Sequence, residues 1–593
     1  MIRDSGILVI AAAVVVGLWL LRRVQVRLRL SRAKHPSLRG HARLSRRLAS
    51  VVPFYEYDDD EAFACDGAAD DVIARRRSGF RKLSGRLAAR SKRSRSESAQ
   101  LEPQVSDMQF TNANRVPFQF RSLVRDNLPL GAVSDATSGV RIRDLDGNWS
   151  YDVGGSYGVN LFGYDFYKEC LQRGTERASE IGPVLGPYHP VIAENVRMLR
   201  KISALDEVSF HMSGTEAVMQ AVRLARYHTG RSHLVMFCGA YHGWWDGVQP
   251  GVGNQRKTND VYTLKDLSDD SLKVLRTRKD IACVLVNPLQ ALHPNAGAGS
   301  DATLINSARR ASFDREAYSS WLRELRKVCS ERGIILIFDE VFVGFRLGLR
   351  GAQGYFGVDA DMVTYGKTLG GGLPNGVLCG RADLMKRYRE NRPTDICFAR
   401  GTFNSHPYVM TCMNEFLRHV TRAEVVVELE GAEVLWNQRT NELNRALEDR
   451  GLPIRIHNLS SIWIVTYTRP SRFNWMFQFY LRATGLSLSW VGTGRLIFSH
   501  NYSDADFEAV RQRFIAAAER MEADGWWAEI PAVTDKAVKR QVFREILFGG
   551  KRRSGISGRR PVHAPRPLPL PEHGSSGRSV PLSSGTAATS DRS

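Results

Sequence analysis

The chain has 593 residues, of which 43% are apolar and 24% are charged, and its formal net charge is +21. This composition is typical of a globular protein of two or three domains and excludes a wholly disordered chain. The positive charge is concentrated in two acid-free segments, 22–47 and 75–95, so it indicates that the flanks contact a polyanion such as lipid, and it argues against a nucleic-acid-binding core.

The eight cysteines are scattered along the chain, with no CxxC pair and no spacing typical of zinc ligands. Such usage is typical of reduced thiols in a cytoplasmic compartment. We therefore predict neither disulfides nor a metal site.

Ser5–Leu21 is an uncharged run of 17 residues, which is near the lower limit of about 17–25 residues for a membrane-spanning helix. Arg22 and Arg23 follow directly, and by the positive-inside rule they favour a cytoplasmic C-terminal bulk. We therefore predict a membrane anchor with its basic flank at 1–30. It would make the chain a single-pass protein of the inner, cytoplasmic membrane, with its catalytic part in the cytoplasm. A mis-assigned start codon and a helix lying on the membrane surface are the alternatives.

Two further flanking segments are predicted to be disordered. Residues 31–103 are mostly basic and polar, and such a composition cannot bury enough apolar surface to fold alone. This linker would either contact anionic headgroups, as polybasic segments beside a span do, or act as a solvated tether. Residues 528–593 are basic and then rich in Pro and Ser, which is typical of a disordered tail.

Short apolar runs alternate with helical patterns between residues 104 and 423. The predicted strands are Val208–Met212, Leu234–Cys238, Ile281–Val286, Ile334–Phe338 and Met362–Tyr365. This alternation predicts a large α/β domain with a mainly parallel sheet. The pattern then changes to a long helix, several short strands and a last helix, so 424–527 is predicted to be a small α+β domain.

Two reactive side chains follow neighbouring predicted strands. Asp339 comes directly after Ile334–Phe338, and Lys367 comes shortly after Met362–Tyr365. The carboxyl ends of such strands form the edge where open α/β sheets bind their ligands. A lysine there can form a Schiff base, and an aspartate can keep a pyridinium nitrogen protonated. A buried ion pair beside a glycine turn is the alternative.

Ser213–Ala217 forms a small turn between the strand Val208–Met212 and a predicted helix. Free amides and the helix dipole make such a helix start, here with Gly214 and Thr215, a candidate phosphate site. An ordinary helix cap is the alternative. Tyr241 follows another strand, and its ring can stack on a flat ligand or simply pack.

Seven motifs run in the order found in one known family: Gly158–Gly163, Ser213–Met219, Ala240–Gly243, Phe338–Val341, Gly344–Arg346, Tyr365–Lys367 and Gly401–Phe403. With them the chain resembles the class III, or fold-type I, pyridoxal-phosphate aminotransferases over roughly residues 110–525. Within the family it is most similar to the glutamate-1-semialdehyde aminomutase branch and to the aminotransferase domains of polyketide and peptide synthases. One such motif would be a weak signal, whereas seven in order are a strong one.

The resemblance implies a large domain with a mainly parallel, seven-stranded sheet, a small C-terminal domain and pyridoxal 5'-phosphate as cofactor. Lys367 would carry the cofactor as a Schiff base and later move a proton, while Asp339 would pair with the pyridine nitrogen. Val341 and Tyr241 would lie against opposite faces of the ring, and His242 would support the site structurally.

The resemblance also implies the remaining contacts. Gly214 and Thr215 would hold the cofactor phosphate at the start of a helix. Thr402 would reach the same phosphate from the other subunit of a homodimer, since the sites of the family lie at a dimer interface. Ser156 and Tyr157 match positions that line the substrate pocket in the family.

The chain departs from the family pattern at two places. Asn287 precedes Pro288 where the family usually has a glutamate, so Asn287 is a candidate pocket residue and the amino donor is open. Asn127–Ala132 lacks the arginine with which glutamate-1-semialdehyde aminomutases bind the substrate carboxylate. This difference argues against an aminomutase of tetrapyrrole synthesis.

We therefore predict a pyridoxal-phosphate-dependent class III transaminase. It would transfer an amino group from a donor to the aldehyde or keto group of a small-molecule or carrier-bound substrate, acyl or lipid-like, and would have no nucleic-acid partner. The acyl substrate is inferred from the membrane anchor, which would hold the site near an apolar chain. The alternatives are an intramolecular aminomutase of the glutamate-1-semialdehyde type and a non-catalytic membrane assembly protein.

Overall fold

The computed structural model describes residues 2–36, 38–256, 258–296, 311–489 and 495–552, with side chains described except at 1–11, 39 and 549–552. The α-helices of this part are α1 (Ile2–Ala33), α2 (Ala42–Ala49), α3 (Asp59–Ala64), α4 (Asp70–Arg90), α5 (Lys92–Leu101), α6 (Ser106–Asn114), α7 (Arg121–Asn127), α8 (Tyr164–Ala178), α9 (Ile192–Ser203), α10 (Gly214–Thr229), α11 (Asp269–Thr277), α12 (Arg315–Arg332), α13 (Gly351–Phe356), α14 (Ala382–Met385), α15 (Pro407–Val420), α16 (Ala423–Glu448), α17 (Phe477–Ala483), α18 (Asp504–Ala523) and α19 (Asp535–Arg552).

The strands of the same part are β1 (Ser134–Ser138), β2 (Arg141–Asp144), β3 (Trp149–Asp152), β4 (Glu207–His211), β5 (His233–Phe237), β6 (Val261–Leu264), β7 (Ile281–Val286), β8 (Ile335–Asp339), β9 (Met362–Gly366), β10 (Gly376–Gly380), β11 (Tyr388–Arg389), β12 (Arg392–Ile396), β13 (Ile454–Leu459), β14 (Ile462–Tyr467), β15 (Leu486–Ser487) and β16 (Leu496–Ile497).

A seven-stranded sheet forms the centre of the large domain, in the order β4-β10-β9-β8-β7-β5-β6. Its neighbours pair in parallel except at β10, which is antiparallel to both β9 and β4. The strands β7 to β10 are buried along their whole length, which explains why they are continuous apolar runs in the sequence. The mainly parallel sheet predicted between residues 104 and 423 is therefore formed.

The small C-terminal domain packs α16 against the antiparallel sheet β13-β14-β16 and against α18. The rings of Trp436, Trp463 and Phe498 meet in its core at centroid distances of 4.8–6.0 Å. Aromatic pairs of this kind contribute about 0.5–1.5 kcal/mol each beyond the burial of their area. The helices and strands of this domain fall within the range predicted for it, 424–527, apart from the first residue of α16.

A separate four-stranded sheet, β1-β2-β3-β15, joins the two domains. Its strand β15 comes from the small domain and pairs in parallel with β3, with Leu486 opposite Tyr151. The amide of Val153 donates to Ser487 O over 3.0 Å, which extends this contact beyond β3. The pairing fixes the start of the loop 153–163, which lies between β3 and α8.

The predicted disordered linker at 31–103 is wrong, because α4 and α5 form there and α4 packs its apolar side chains into a hydrophobic core. One face of α4 carries Arg76, Phe80, Leu83 and Leu87, which are buried and recur at helical spacing. The Arg76 guanidinium forms two hydrogen bonds of 2.8 Å to Asp66 and is fully buried. This basic segment folds because the buried charge is paired and the remaining basic side chains stay on the outer face.

The membrane anchor predicted at 1–30 is not supported. Ser5–Leu21 lies within α1, yet no helix in the described part of the chain is long and apolar enough to cross a membrane. The side chains of residues 1–11 lie outside the described part of the chain. The helix α1 continues past Arg22 to Ala33, which is buried against the large domain and accepts a hydrogen bond of 2.8 Å from the amide of Lys265.

The helix α19 belongs to the predicted tail, and a polar network holds it to the rest of the protein. Glu545 accepts hydrogen bonds from Tyr55 (2.9 Å) and Tyr57 (2.6 Å) and forms an ion pair of 2.8 Å with Arg472. This network joins the N-terminal segment, the small domain and the C-terminal helix. Residues 553–593 of the predicted tail lie outside the described residues.

Candidate active site

A cavity of about 710 Å³ lies at the carboxyl ends of β7, β8 and β9. The predicted site residues that line it are Gly214, Thr215, Tyr241, Val341, Asp339, Lys367, Tyr157 and Asn287. They come from six separate segments of the chain, so only the fold brings them together. Two other predicted site residues, Ser156 and Thr402, do not line the cavity.

Lys367 follows β9 directly and begins a short 3-10 helix, with a left-handed φ of 48°. A non-glycine residue in this region costs on the order of 1–3 kcal/mol, so the surrounding structure must hold it there. Asn375 contributes by donating from Nδ2 to Lys367 O over 3.0 Å. Burial lowers the pKa of the Lys367 amine, and the positive charges of Arg495 and Arg346 add to the lowering against the opposite effect of Asp339.

Asp339 ends β8 and is buried, with 4% of its surface exposed. His242 Nδ1 lies 2.8 Å from its Oδ2, while Oδ1 accepts from the amide of Val341 (3.2 Å) and from the hydroxyl of Thr364 (3.3 Å). A carboxylate only accepts, so His242 carries its proton on Nδ1. These three donors fix the orientation of the carboxylate at the cavity wall.

The start of α10 forms an anion cradle. Ser213 Oγ accepts from the amide of Glu216 (3.2 Å), and Glu216 Oε2 accepts from the amide of Met212 (3.0 Å). The amides of Gly214 and Thr215 belong to the first helical turn, whose amides have no acceptor within the helix. The helix dipole also favours an anion there.

Close backbone approach shapes this cradle. Gly243 has a φ of +90°, and a Cβ at this position would lie 2.5 Å from Thr215 Oγ1. A Cβ on Gly214 would lie 2.6 Å from a methyl group of Val341. Both positions therefore require glycine, because a side chain would displace Thr215 or Val341.

Tyr241 and Val341 both line the cavity, and Tyr241 is 58% exposed. Burial of its hydroxyl raises the pKa of Tyr241, and the negative charge of Asp339 adds to this effect. Asn287 has a structural role beside it. Its Nδ2 donates to Tyr241 O (2.9 Å), and its Oδ1 accepts from the amide of Leu289 (3.2 Å). Asn287 therefore positions the Tyr241 loop from the end of β7.

Sequence reasoning missed Arg495 and Phe342, which both line the cavity. The centroid of the Phe342 ring lies 5.8 Å from Lys367 Nζ and 5.2 Å from the guanidinium carbon of Arg495. Burial lowers the pKa of Arg495 to about 10. Within the described ranges no carboxylate forms an ion pair with Arg495, and its Nη2 lies 3.3 Å from Nε2 of His293. An arginine directly before the short apolar run Leu496–Phe498 was the available signal.

The two predicted residues outside the cavity occupy different surroundings. Ser156 Oγ is bonded to Tyr164 Oη (2.8 Å), and Tyr164 donates to the buried Asp152 (2.7 Å). Ser156 therefore stabilises the loop whose next residue, Tyr157, lines the cavity. Thr402 lies in an exposed turn before α15.

The family model described as aminotransferase class-III matches residues 124–516. The chain belongs to the class III aminotransferases. Its relatives include glutamate-1-semialdehyde 2,1-aminomutase of Methanococcus vannielii, with 31% identity over 341 residues, 55% of this chain and 73% of the relative. Glutamate-1-semialdehyde 2,1-aminomutase 2 of Shouchella clausii is 29% identical over 412 residues, 65% of this chain and 88% of the relative.

Solved structures show the same fold. A glutamate-1-semialdehyde-aminomutase from Pseudomonas aeruginosa PAO1 is similar with a TM-score of 0.62 and 17% identity, over 76% of this chain and 99% of that one. An omega-transaminase from Sphaerobacter thermophilus is similar with a TM-score of 0.60 and 21% identity, over 72% of this chain and 98% of that one. The resemblance read from the seven motifs is confirmed, and so is the predicted α/β fold of fold-type I transaminases.

This class III aminotransferase is a pyridoxal-phosphate-dependent enzyme, as predicted. Enzymes of the family are generally dimeric and use an amino donor and a carbonyl substrate. The non-catalytic alternative depended on Asn287, and that residue has a defined positioning contact. Membrane association is not supported.

The cavity fits the cofactor. Gly214 and Thr215 line the cavity at the start of α10, where their amides would bind a phosphate, and Asp339 is held in place for a ring nitrogen. When bound, pyridoxal phosphate supplies an electron sink for the electrons released as a proton leaves the substrate carbon. Lys367, with its lowered pKa, would hold or move that proton at Nζ.

Proposed function

We propose that this enzyme is an aminotransferase whose donor or acceptor carries a carboxylate close to the reacting carbon. The supporting observation is Arg495, a buried guanidinium on the cavity wall beside Phe342 and Lys367, with no ion pair in the described part of the chain. A charged hydrogen-bond donor of this kind fits a carboxylate in two-pronged geometry. Arg495 would orient the substrate, and Lys367 would move the proton.

The predicted acyl or lipid-like substrate remains a proposal. Its original reason was the membrane anchor, which the structure does not support. Its remaining support is the cavity, which at about 710 Å³ is in the upper part of the range of about 300–1,000 Å³ for small-molecule sites. Leu289, Leu373 and Ile497 give the cavity an apolar wall. The cytoplasmic location remains a prediction as well.

The test is a screen of amino donors and carbonyl acceptors with the purified, cofactor-loaded enzyme. Amino donors with a carboxylate should change the visible spectrum of the bound cofactor, whereas the matched amines without a carboxylate should act at least tenfold more slowly. Arg495→Gln should remove this difference. Lys367→Ala should abolish the spectral change with every donor. Equal rates for acids and plain amines with the wild-type enzyme would refute the carboxylate proposal.

An aminomutase is the second candidate, because the relatives with 29–31% identity carry that name. Such an enzyme moves the amino group within one molecule and needs no separate donor. Turnover of a single amino aldehyde without any added donor or acceptor would favour it. A strict requirement for a second substrate would favour the aminotransferase.

We also propose that the active form is a homodimer in which Thr402 completes the site of the other subunit. Thr402 is exposed and lies outside the cavity of its own chain. Three large apolar side chains, Phe398 and Phe403 near Thr402 and Trp244 near Tyr241, are 53–77% exposed, which is typical of surfaces that pack against another chain.

A mixed dimer of Lys367→Ala and Thr402→Ala chains tests this arrangement. If Thr402 acts across the interface, one site of the mixed dimer contains both native residues and should bind the cofactor with wild-type affinity. If Thr402 acts within its own chain, neither site is complete, and the mixed dimer should bind no better than the two parent variants. If Thr402 has no role, the Thr402→Ala parent alone should bind the cofactor with wild-type affinity.

A further inference from the structure

A second group of polar side chains stands beside the active-site cavity and has no role so far. We name Arg115, Gln478, Arg482 and Ser489 the arginine cluster. Gln478 and Arg482 are one turn apart on α17 and therefore share a face. Gln478 Nε2 donates to Arg115 O (3.3 Å), and Arg482 Nη2 donates to Ser489 O (3.0 Å). Ser489 itself lines the cavity.

The arginine cluster contains donors that are buried and unsatisfied. Arg115 Nη1, Arg482 Nε and Ser489 Oγ are all shielded from solvent, and none has a hydrogen-bond partner within the described ranges. The neighbouring segment 490–494, which lies outside the description, contains no acidic residue. Burying a donor, and above all a charge, without a partner costs free energy. Ser489 lines the cavity and its carbonyl accepts from Arg482, so an anion at this end of the cavity would lie beside the arginine cluster.

The electrostatics of the arginine cluster agree with this geometry. Burial lowers the pKa of Arg115 to about 10 and that of Arg482 to about 9, and the charge of Arg115 adds to the lowering at Arg482. Tyr157 is the other group that affects both arginines, and its ring lines the cavity. The two positive charges are therefore close together, next to the cavity wall, and no carboxylate among the described residues forms an ion pair with either of them.

We infer that the arginine cluster is a second anion subsite of the active site and holds a carboxylate or phosphate at the far end of the substrate. The inference rests on the proposed function and extends it, because Arg495 would bind one anionic group and the cluster another. The substrate class is thus a dianion, such as a dicarboxylate or a phosphorylated carboxylic acid. Arg115 lies outside residues 124–516, which match the family, so the family match does not assign this subsite.

Titration calorimetry with the cofactor-loaded dimer tests the subsite without any turnover. The probes are glutarate, 4-phosphonobutyrate and butyrate, which share a chain length and differ in the second anionic group. Glutarate or 4-phosphonobutyrate should bind at least tenfold more tightly than butyrate, and the better of the two identifies the second group. Arg115→Gln and Arg482→Gln should each remove this advantage and leave butyrate binding unchanged.

Two controls separate a binding role from a structural role. Arg455→Gln removes the same charge from an exposed position of the small domain and should bind all three probes like the wild type. Arg482→Lys keeps the charge and should keep part of the preference for dianions. Because an uncompensated buried charge is removed, Arg482→Gln should also melt at the same or a higher temperature without ligand.

Two results would overturn the inference: equal binding of all three probes by the wild type, or wild-type dianion binding by both glutamine variants. If a glutamine variant fails to fold, Ser489→Ala removes a single donor, and it should weaken dianion binding at least twofold. Unchanged dianion binding by Ser489→Ala, with no glutamine variant folded, would also overturn it. Failure of the proposed function appears differently, as equal rates of the cofactor spectral change with amino donors that carry a carboxylate and with the matched plain amines.

Discussion

Replacing Gly214 with alanine would test whether Gly214 and Val341 form part of the cofactor site. The new Cβ would lie 2.6 and 2.8 Å from the two methyl groups of Val341, whereas carbon atoms in contact normally keep about 3.5–4.0 Å. The free protein can relieve the overlap by moving Val341 into the space for the cofactor ring, so the cost appears on binding. Overpacking of this kind costs about 1–3 kcal/mol. The dissociation constant for pyridoxal phosphate should therefore rise roughly 5–150-fold.

The assay is a titration of cofactor-free protein with pyridoxal phosphate, followed by absorbance. Gly431→Ala is the matched control, because this glycine lies inside α16 and a Cβ there meets no atom within 4 Å. The control should bind the cofactor normally and gain about 0.5–1 kcal/mol of stability from the better helix former. Wild-type cofactor affinity in Gly214→Ala would refute the assignment of Val341 and Gly214 to the cofactor site.

Three further predictions concern single side chains. Asn287→Ala removes the donor to Tyr241 O and the acceptor for the amide of Leu289, which costs about 1–3 kcal/mol. The same titration should therefore show that the cofactor binds about 5–150-fold more weakly. Arg495→Gln removes a charge that lowers the pKa of Lys367, so the pH midpoint for cofactor capture by cofactor-free protein should move upward. Burial raises the pKa of Glu340 to about 8, so the folded protein binds a proton there more tightly than the unfolded chain does. The free energy of unfolding should therefore fall as the pH rises from about 5 to 8. Urea unfolding at several pH values should show this fall in the wild type and not in Glu340→Gln.

Strand ends could be predicted because the relevant signals are local. Asp339 and Lys367 follow short apolar runs, and a parallel sheet places such ends on one edge whatever the rest of the chain does. The arginine cluster could not be found in this way. Arg115 and Gln478 are 363 residues apart, and neither lies in a local sequence motif that distinguishes it from the many other polar residues. That these arginines have no carboxylate partner among the described residues can be recognised only from the three-dimensional structure.

The N-terminal region shows the limit of reasoning from composition. Counting charges treats every arginine between 75 and 95 as solvated, whereas Arg76 is buried and paired with Asp66, ten residues earlier. A helical stripe was present in the sequence, since Arg76, Phe80, Leu83 and Leu87 recur every three or four residues. Periodicity was therefore the better guide, and the high net charge concealed it.

The Glu545 network has a practical consequence for any shortened form of the enzyme. The family match ends at residue 516, but Tyr55, Tyr57 and Arg472 hold α19 in place well beyond it. A chain trimmed to the matched domain would lack α4 and α19, and the part of the small-domain core that Phe80, Leu83 and Leu87 of α4 cover would be exposed. The minimal folding unit should therefore extend beyond 124–516 at both ends, and limited proteolysis of the intact protein should leave a fragment that retains α4 and α19.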